Sequence, residues 1–254
     1  KNMALPPEQD ALVRRTIAQN ANTVVVLVSG SPLEMPWAQD VPAIVMAWYP
    51  GMEGGRAIAR VLFGEVNPGG KLPITFPRVL ADSPAHSDPR RFPGDRNEVR
   101  YDEDIFVGYR HFDRAAVEPL YAFGHGLSYT RFEYGELAIG ERGWQQDGVL
   151  RLSMQLTNAG ARDGAEVVQL YLGATAPSLP RPVRELKAFR KLWLRAGESQ
   201  RVEFELPLRT LAYYCPDALC WRVDDGEYEI ALGSSSRDLR LRARVRHTSN
   251  QERA

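Results

Sequence analysis

The sequence predicts an α/β layer followed by an all-β sandwich. Three observations carry this. Apolar β-branched runs alternate with helical stripes between Glu8 and Leu62, aliphatic residues thin out from Val79 to Arg100, and strict two-residue alternation takes over beyond Glu136. The bulk composition, 254 residues with 44% hydrophobic and 25% charged, is that of a folded globular chain. Lys+Arg and Asp+Glu both total 32, so no net charge draws the chain to nucleic acid or to an anionic membrane. No apolar run reaches the ~20 residues that cross a bilayer, and the opening KNMALPPEQD lacks the apolar core of a signal peptide. Neither nucleic acid nor a membrane is therefore expected as a partner.

After Pro6-Pro7, the segment from Glu8 to about Asn20 places Leu12, Val13, Thr16 and Ile17 on one helical face. Thr23 to Val28 is a continuous run that reads as a strand buried on both faces of a parallel sheet, ending at Ser29-Gly30-Ser31-Pro32. A second apolar run, Ala43 to Trp48, ends at Tyr49-Pro50-Gly51. Ala57, Ile58, Val61 and Leu62 then trace a second helical stripe. Two doubly buried strands and two helices cannot cover one another, so this part reads as the second half of a domain whose other strands come from elsewhere.

Val79 to Arg100, rich in Pro, Asp, Arg and Ser, reads as a long linker or surface loop. Tyr101 to Asp113 and Pro119 to Tyr134 read as ordered, extended connecting segments. Beyond Glu136, strands are expected at Leu150–Leu156, Glu166–Leu172, Glu185–Leu194, Gln200–Leu206, Trp221–Val223, Glu227–Leu232 and Leu239–Val245, with turn clusters between them. That rhythm suits an immunoglobulin-like sandwich. Cys215 and Cys220 are not at the immunoglobulin spacing, and a fibronectin type III-like sandwich fits better. The expected division is 1–78, the C-terminal part of an α/β sandwich domain; 79–135, linker and connecting segments; and 136–254, the β-sandwich.

The residue types that carry chemistry give few combinations. Gly51, Gly54 and Gly55 lie between strand and helix, where phosphate could meet backbone N–H groups, but their spacing matches neither nucleotide motif and favours a tight turn. Ser29, Ser31, Ser128 and His125 have no nucleophile elbow around them. His86, His111, His125 and His247 lack ligand spacing, so no metal is expected. Glu34, Glu53, Glu65, Asp102, Glu103 and Asp104 are candidate carboxylates for glycoside hydrolysis, yet nothing brings two of them together, and solvated loop or cap positions suit them better. Trp37, Trp48 and Tyr49 could stack on sugar rings but sit beside strand ends, where core packing is the commoner role. CPDALC could close a small disulfide loop if its ends face each other across a hairpin. Two unlinked thiols fit equally, and the compartment stays open.

Several longer motifs stand in order: VVVLVSGSPLEMPW, AWYPGMEGGRAIARVLFGEVNPGGKLPITFP, VGYRHFD, PLYAFGHGLSYTRFEY and GEYEIALGSSSRDLRL. Together they resemble glycoside hydrolase family 3, the β-glucosidase group, from Leu5 to about Val245. The resemblance implies a (β/α)8 barrel, an α/β sandwich and a C-terminal fibronectin type III-like domain, of which this chain matches the end of the second and all of the third.

The family's nucleophile is an aspartate on the barrel. Its acid/base is a glutamate just ahead of a segment like Leu5–Gln9, so both are expected upstream of Lys1 and no catalytic residue is expected in this chain. The resemblance thus implies the C-terminal portion of a retaining β-glucosidase, active on β-linked glucosides or oligosaccharides only with the barrel-bearing portion. The expected partners are that barrel and the first half of the α/β domain, on the same or a separate chain, and a carbohydrate substrate. A homo-oligomer is compatible with this, and no cofactor is implied. Tyr101, Asp102 and Glu103 are the candidates for aglycone contacts. The competing expectation is a noncatalytic carbohydrate-binding or interaction module.

Overall fold

The computed structural model describes residues 2–95, 97–140, 144 and 148–249. Two compact units emerge, one formed by Lys1–Val66 with Leu72–Phe123, the other by Asn67–Lys71 with Gly124–Ala254.

In the first unit, α1 (Pro7–Gln19) starts with proline in its first turn, together with Glu8 and Asp10. Proline has no N–H to leave unsatisfied there, and the acids complement the positive end of the helix dipole. Strands β1 (Val24–Leu27) and β2 (Ala43–Met46) pair in parallel, Val24 opposite Ala43 and Leu27 opposite Met46. Helix α2 (Gly54–Leu62) follows. Trp37, Phe76, Leu27 and Met35 form the core, with Val13 and Ile17 of α1 packed against it. Trp37 is fully buried and its Nε1–H donates to Asp10 Oδ1 at 2.7 Å, tying α1 to the loop between β1 and β2.

Burial departs from the expectation of doubly covered strands. Val24 and Val28 are exposed, only Gly54 of α2 is buried, and Leu62, Met52 and Phe63 face outward, Phe63 at 84% exposure. Two strands and two helices have too little surface to cover both faces of the sheet, and among the described residues no further strand pairs with β1 or β2.

The stretch from Val79 to Arg100 is irregular with two short 3-10 turns, Leu80–Asp82 and Pro84–His86. It is pinned at its start: Asp82 Oδ2 accepts the N–H groups of Arg78 and Val79, both at 3.2 Å, and Glu34 Oε1 accepts that of Leu80 at 2.5 Å. The segment from Tyr101 to Asp113 corrects the reading as extended chain, because after a turn it forms α3 (Tyr109–Arg114). Phe106, Tyr109 and Phe112 recur every third residue, which is a helical spacing as much as an aromatic alternation. Phe106 and Phe112 are buried, and the Arg114 guanidinium lies 3.9 Å from the centre of the Phe106 ring.

The second unit is the two-sheet sandwich. In one sheet β3 (Phe132–Tyr134) and β4 (Ala138–Ile139) line one edge of β5 (Val149–Asn158), and β8 (Ser199–Pro207) lines the other. The second sheet runs β12 (Leu239–His247), β11 (Gly226–Gly233), β6 (Gly164–Ala174), β7 (Glu185–Leu194), all antiparallel. A hairpin of β9 (Tyr213–Cys215) and β10 (Cys220–Arg222) stands apart from both.

Alternation places Leu150, Leu152, Met154 and Leu156 of β5 opposite Val168, Leu170 and Leu172 of β6, with Val202, Phe204, Leu206, Tyr228, Ile230 and Leu232 completing the core. Each buried aliphatic or aromatic side chain contributes about 1.5–3 kcal/mol. Trp144 closes one end, its Nε1–H donating to Leu206 O at 2.8 Å. Asn158, fully buried, accepts from Thr130 Oγ1 at 2.6 Å and donates to Arg162 O at 2.8 Å and Leu194 O at 3.1 Å. On β12 the arginines at 240, 242, 244 and 246 face outward, where Arg242 and Arg244 pair with Glu229 and Glu227 of β11.

Candidate functional site

Tyr101, Asp102 and Glu103 sit on one turn of the first unit, closed by Asp104 N–H to Tyr101 O at 3.2 Å and Phe106 N–H to Glu103 O at 3.0 Å. Tyr101 is 80% exposed. Asp102 Oδ2 stands 3.6 Å from Arg91 Nε. Glu103 Oε2 is buried with no hydrogen-bond partner among the described residues, an arrangement that costs free energy unless something else completes it. The surrounding loop is densely charged. The Arg90 side chain and N–H bonded to Asp88 hold that carboxyl down to about 2. Burial pulls His111 below its ordinary pKa even though its Nε2 lies 3.2 Å from Asp82 O.

The other candidate carboxylates do not gather. Glu34 is tied to Leu80 and is not a solvated charge, because that backbone N–H needs an acceptor where the loop turns. Glu53 flanks the N-terminus of α2, and Glu65 pairs with Arg60 at 3.3 Å. Among the aromatics, Trp37 is core and Trp48 packs edge-on against Phe76 with ring centres 6.2 Å apart. Tyr49 is exposed and lies over Gly30, where a Cβ would come within 2.5 Å of its hydroxyl. Core packing is therefore not the role of Tyr49. Gly51 adopts φ 72°, which a side chain would strain, and Gly54 packs under the Pro50 ring, whereas Gly55 has open space around it. Ser29 Oγ donates to Ser31 O at 3.0 Å, a local turn bond.

The second unit contains a polar cavity of about 260 Å³ that residue-by-residue reading passed over. Lys71 Nζ reaches Glu166 Oε1 and Gly126 O, both at 2.9 Å, and Val167 N–H donates to the same carboxylate oxygen at 2.7 Å. Opposite them Asp238 Oδ2 accepts from Ser234 Oγ at 2.6 Å and from Arg240 Nη2 at 2.8 Å. Arg240 also donates to Phe132 O at 2.9 Å and lies 4.6 Å from the centre of the Tyr134 ring.

Hydrogen bonds from Arg240 lower the pKa of Asp238. Burial raises that of Tyr134, whose buried hydroxyl has no hydrogen-bond partner among the described residues. Burial and the Lys71 charge lower that of His125. Gly126 is required at its position, because a Cβ there would collide with Gly70 O. Lys71 pairs with Glu166 and Arg240 with Asp238, while Arg131, the second arginine of the lining, is exposed and turns to Glu133, so the cavity clamps the Asn67–Lys71 loop rather than activating a nucleophile. The sequence signal was the Pro68-Gly69-Gly70-Lys71 turn, but nothing near it names Glu166 as the partner.

Residues 1–129 match the Glycosyl hydrolase family 3 C-terminal domain, and residues 166–236 match a Fibronectin type III-like domain. Thermostable beta-glucosidase B of Acetivibrio thermocellus is 42% identical over 98% of this chain, which corresponds to 32% of that relative. A beta-glucosidase of Rhizobium radiobacter is 44% identical over 94% of this chain and 29% of its own length. Among solved structures, the beta-glucosidase of Kluyveromyces marxianus superposes with a TM-score of 0.92 at 39% identity, covering 98% of this chain and 29% of that one. DesR, a beta-glucosidase from Streptomyces venezuelae solved with D-glucose, gives 0.91 at 39% identity, covering 96% and 31%. The chain thus spans about a third or less of the length of these relatives. With a parallel α/β unit leading into a sandwich and each segment matched in order, the chain belongs to glycosyl hydrolase family 3, whose C-terminal domain it carries together with a fibronectin type III-like domain.

Proposed function

We infer that this chain is the C-terminal portion of a retaining β-glucosidase-type glycoside hydrolase acting on β-linked glucosides or oligosaccharides, active only with a barrel-bearing portion. The observation that carries the reading is the uncovered apolar surface of the first unit, where Val24, Val28, Met52, Leu62 and Phe63 are exposed around a two-stranded parallel sheet. Sheets of this kind are stable with both faces covered, so the unit is built to receive further strands and helices. The division into 1–78, 79–135 and 136–254 belongs to the same reading, the first part completing an α/β domain and the last being the sandwich, although the middle part is shared between the two units and Phe132–Tyr134 already pairs into the sandwich. Retention needs two carboxyls about 5 Å apart, and the candidate carboxylates of this chain are each engaged elsewhere or alone. The nucleophile and acid/base are assigned to the barrel-bearing portion.

Tyr101, Asp102 and Glu103 are proposed to contact the aglycone. The exposed Tyr101 ring and the partnerless Glu103 oxygen support this, because the face of an aglycone ring would stack on the one and its hydroxyl would donate to the other. The test is hydrolysis of aryl β-glucosides by the chain alone, by the barrel-bearing portion alone, and by both together. Turnover is expected only in the last case; turnover by the chain alone overturns the reading. Tyr101→Ala and Glu103→Gln in the complete enzyme are expected to weaken binding of bulky aglycones, and unchanged affinity removes them from the site.

A second reading, a noncatalytic carbohydrate-binding module, rests on Tyr214 and Trp221. This exposed pair projects from the β9–β10 hairpin with ring centres 6.0 Å apart. Retention of the sandwich on insoluble glucan, lost in Trp221→Ala, is its expected result; a chain that passes straight through excludes it.

A further inference from the structure

We propose that Cys215 and Cys220 are a disulfide-forming pair that locks the β9–β10 hairpin when the chain meets an oxidising thiol–disulfide couple. Both thiols are free in this structure. The register sets them directly opposite each other across antiparallel strands, next to the Trp221–Tyr214 pair. Directly opposed residues on antiparallel strands have Cα atoms about 4.5 or 5.5 Å apart, depending on the type of pair. Both values lie within the roughly 4.4–6.8 Å that a disulfide spans. Opposed side chains also leave the same face of the ribbon. Opposed Cβ atoms are about 4.5–5.5 Å apart against roughly 3.5–4.5 Å in a disulfide, so bond formation needs side-chain rotation and a small closing of the ribbon, on the order of 1 Å.

The hairpin legs are already held at their base. Tyr213 OH donates to Asp224 Oδ1 at 2.8 Å, Ser178 Oγ bonds Asp224 Oδ2 at 2.8 Å and stands 2.8 Å from Tyr213 OH, and the Arg181 guanidinium lies 4.8 Å from the centre of the Tyr213 ring. This network precedes β9's second residue on one leg and follows β10 on the other, so the two thiols are positioned before any bond forms. Such pre-organisation raises the effective concentration of one thiol at the other.

Access is asymmetric in a way that orders the chemistry. Cys220 is exposed and Cys215 is 6% exposed. The Cys220 thiolate attacks a small disulfide such as oxidised glutathione, forming a mixed disulfide and expelling one glutathione thiolate. The Cys215 thiolate then attacks the Cys220 sulfur, forming the internal bond and expelling the second. The protein loses two electrons and its two thiol protons; glutathione disulfide gains the electrons and, on protonation, leaves as two thiols.

The test equilibrates the full chain in glutathione redox buffers, quenches with acid, alkylates, and weighs it intact and after proteolysis. The expected product is lighter by two hydrogens, takes no alkyl group, and yields a peptide linked between Cys215 and Cys220. The folded chain should hold the bond at least about tenfold more tightly than the chain in denaturant, a shift of about 30 mV in the potential. Cys215→Ser should stop at a glutathione adduct on Cys220. The proposal is overturned if the wild-type chain stops at that adduct, if Cys215 still alkylates after oxidation, or if folding leaves the potential unchanged. The wild-type measurements decide the matter whether or not the variant folds.

Discussion

Replacing Lys71 with methionine isolates the clamp on the Asn67–Lys71 loop. The Lys71 and Glu166 side chains are 13% and 6% exposed and meet at 2.9 Å, so the substitution leaves a carboxylate buried with the Val167 N–H as the donor that stays in place. Removing one partner of a buried pair costs about 3–5 kcal/mol. The retained Val167 bond and the partial exposure of Lys71 put the expected loss near 3 kcal/mol. At about 2–4 °C per kcal/mol for a unit of this size, Lys71→Met lowers the melting temperature of the sandwich by roughly 6–12 °C. Calorimetry reads this directly, and urea titration followed by tryptophan fluorescence gives the free energy. The double variant Lys71→Met with Glu166→Leu removes both charges and should recover most of the loss, since an apolar pair of similar volume can replace a buried ion pair. A single-variant loss under about 1 kcal/mol, or a double variant as unstable as the two single losses added, would refute the clamp.

Three further outcomes are expected. Trp37→Phe, which forfeits the bond to Asp10, costs about 1–2 kcal/mol and Trp37→Ala about 3–5 kcal/mol, read from urea midpoints; equal losses for the two would show that packing contributes nothing. His111 and His125 both titrate below the ordinary value of 6.5, so between the folded and unfolded pKa values the unfolded chain binds more protons. Stability therefore falls as pH drops through and below ~6.5, and Lys71→Met should raise the His125 pKa in an NMR titration; a midpoint that rises on acidification contradicts this. Phe63→Asp, at an exposed position, changes the stability of the chain by no more than ~0.5 kcal/mol yet weakens association with the barrel-bearing portion, measured by calorimetric titration. Unchanged association would remove Phe63 from the docking face.

The sandwich was legible because each strand repeats a two-residue alternation that burial rewards. Glu185–Leu194 was delimited to the residue, and β5, β6, β8, β11 and β12 differ from expectation by at most two residues at either end. Helix α3 was not legible, since six residues carry too little periodicity to separate a helix from an aromatic alternation, and Phe112 is buried by either. Tyr49 escaped the aromatic expectation because a strand end can point its ring at solvent. In the candidate site, the turn that carries Tyr101, Asp102 and Glu103 was read as extended chain, and the contact of Asp102 with Arg91 was not legible either. The Lys71–Glu166 pair was invisible for the same reason: partners so distant in the chain are chosen by topology, and neither residue's neighbours encode the other. The opposition of Cys215 and Cys220 lies between these cases, since a hairpin there was the condition for a disulfide while the strand Tyr213–Cys215 was not among those expected.

The loop Asn67–Lys71 joins the second unit while the residues on both sides of it join the first. The polypeptide is therefore stitched through the sandwich once before it enters it for good. A protease cut in the stretch from Val79 to Arg100 would sever the main thread and leave this stitch in place, so the fragments should travel together until denatured. Conversely, shortening the gene to end ahead of Gly124 would strand Lys71 without its carboxylate, and the seam at which this protein can be divided is not a single point along its length.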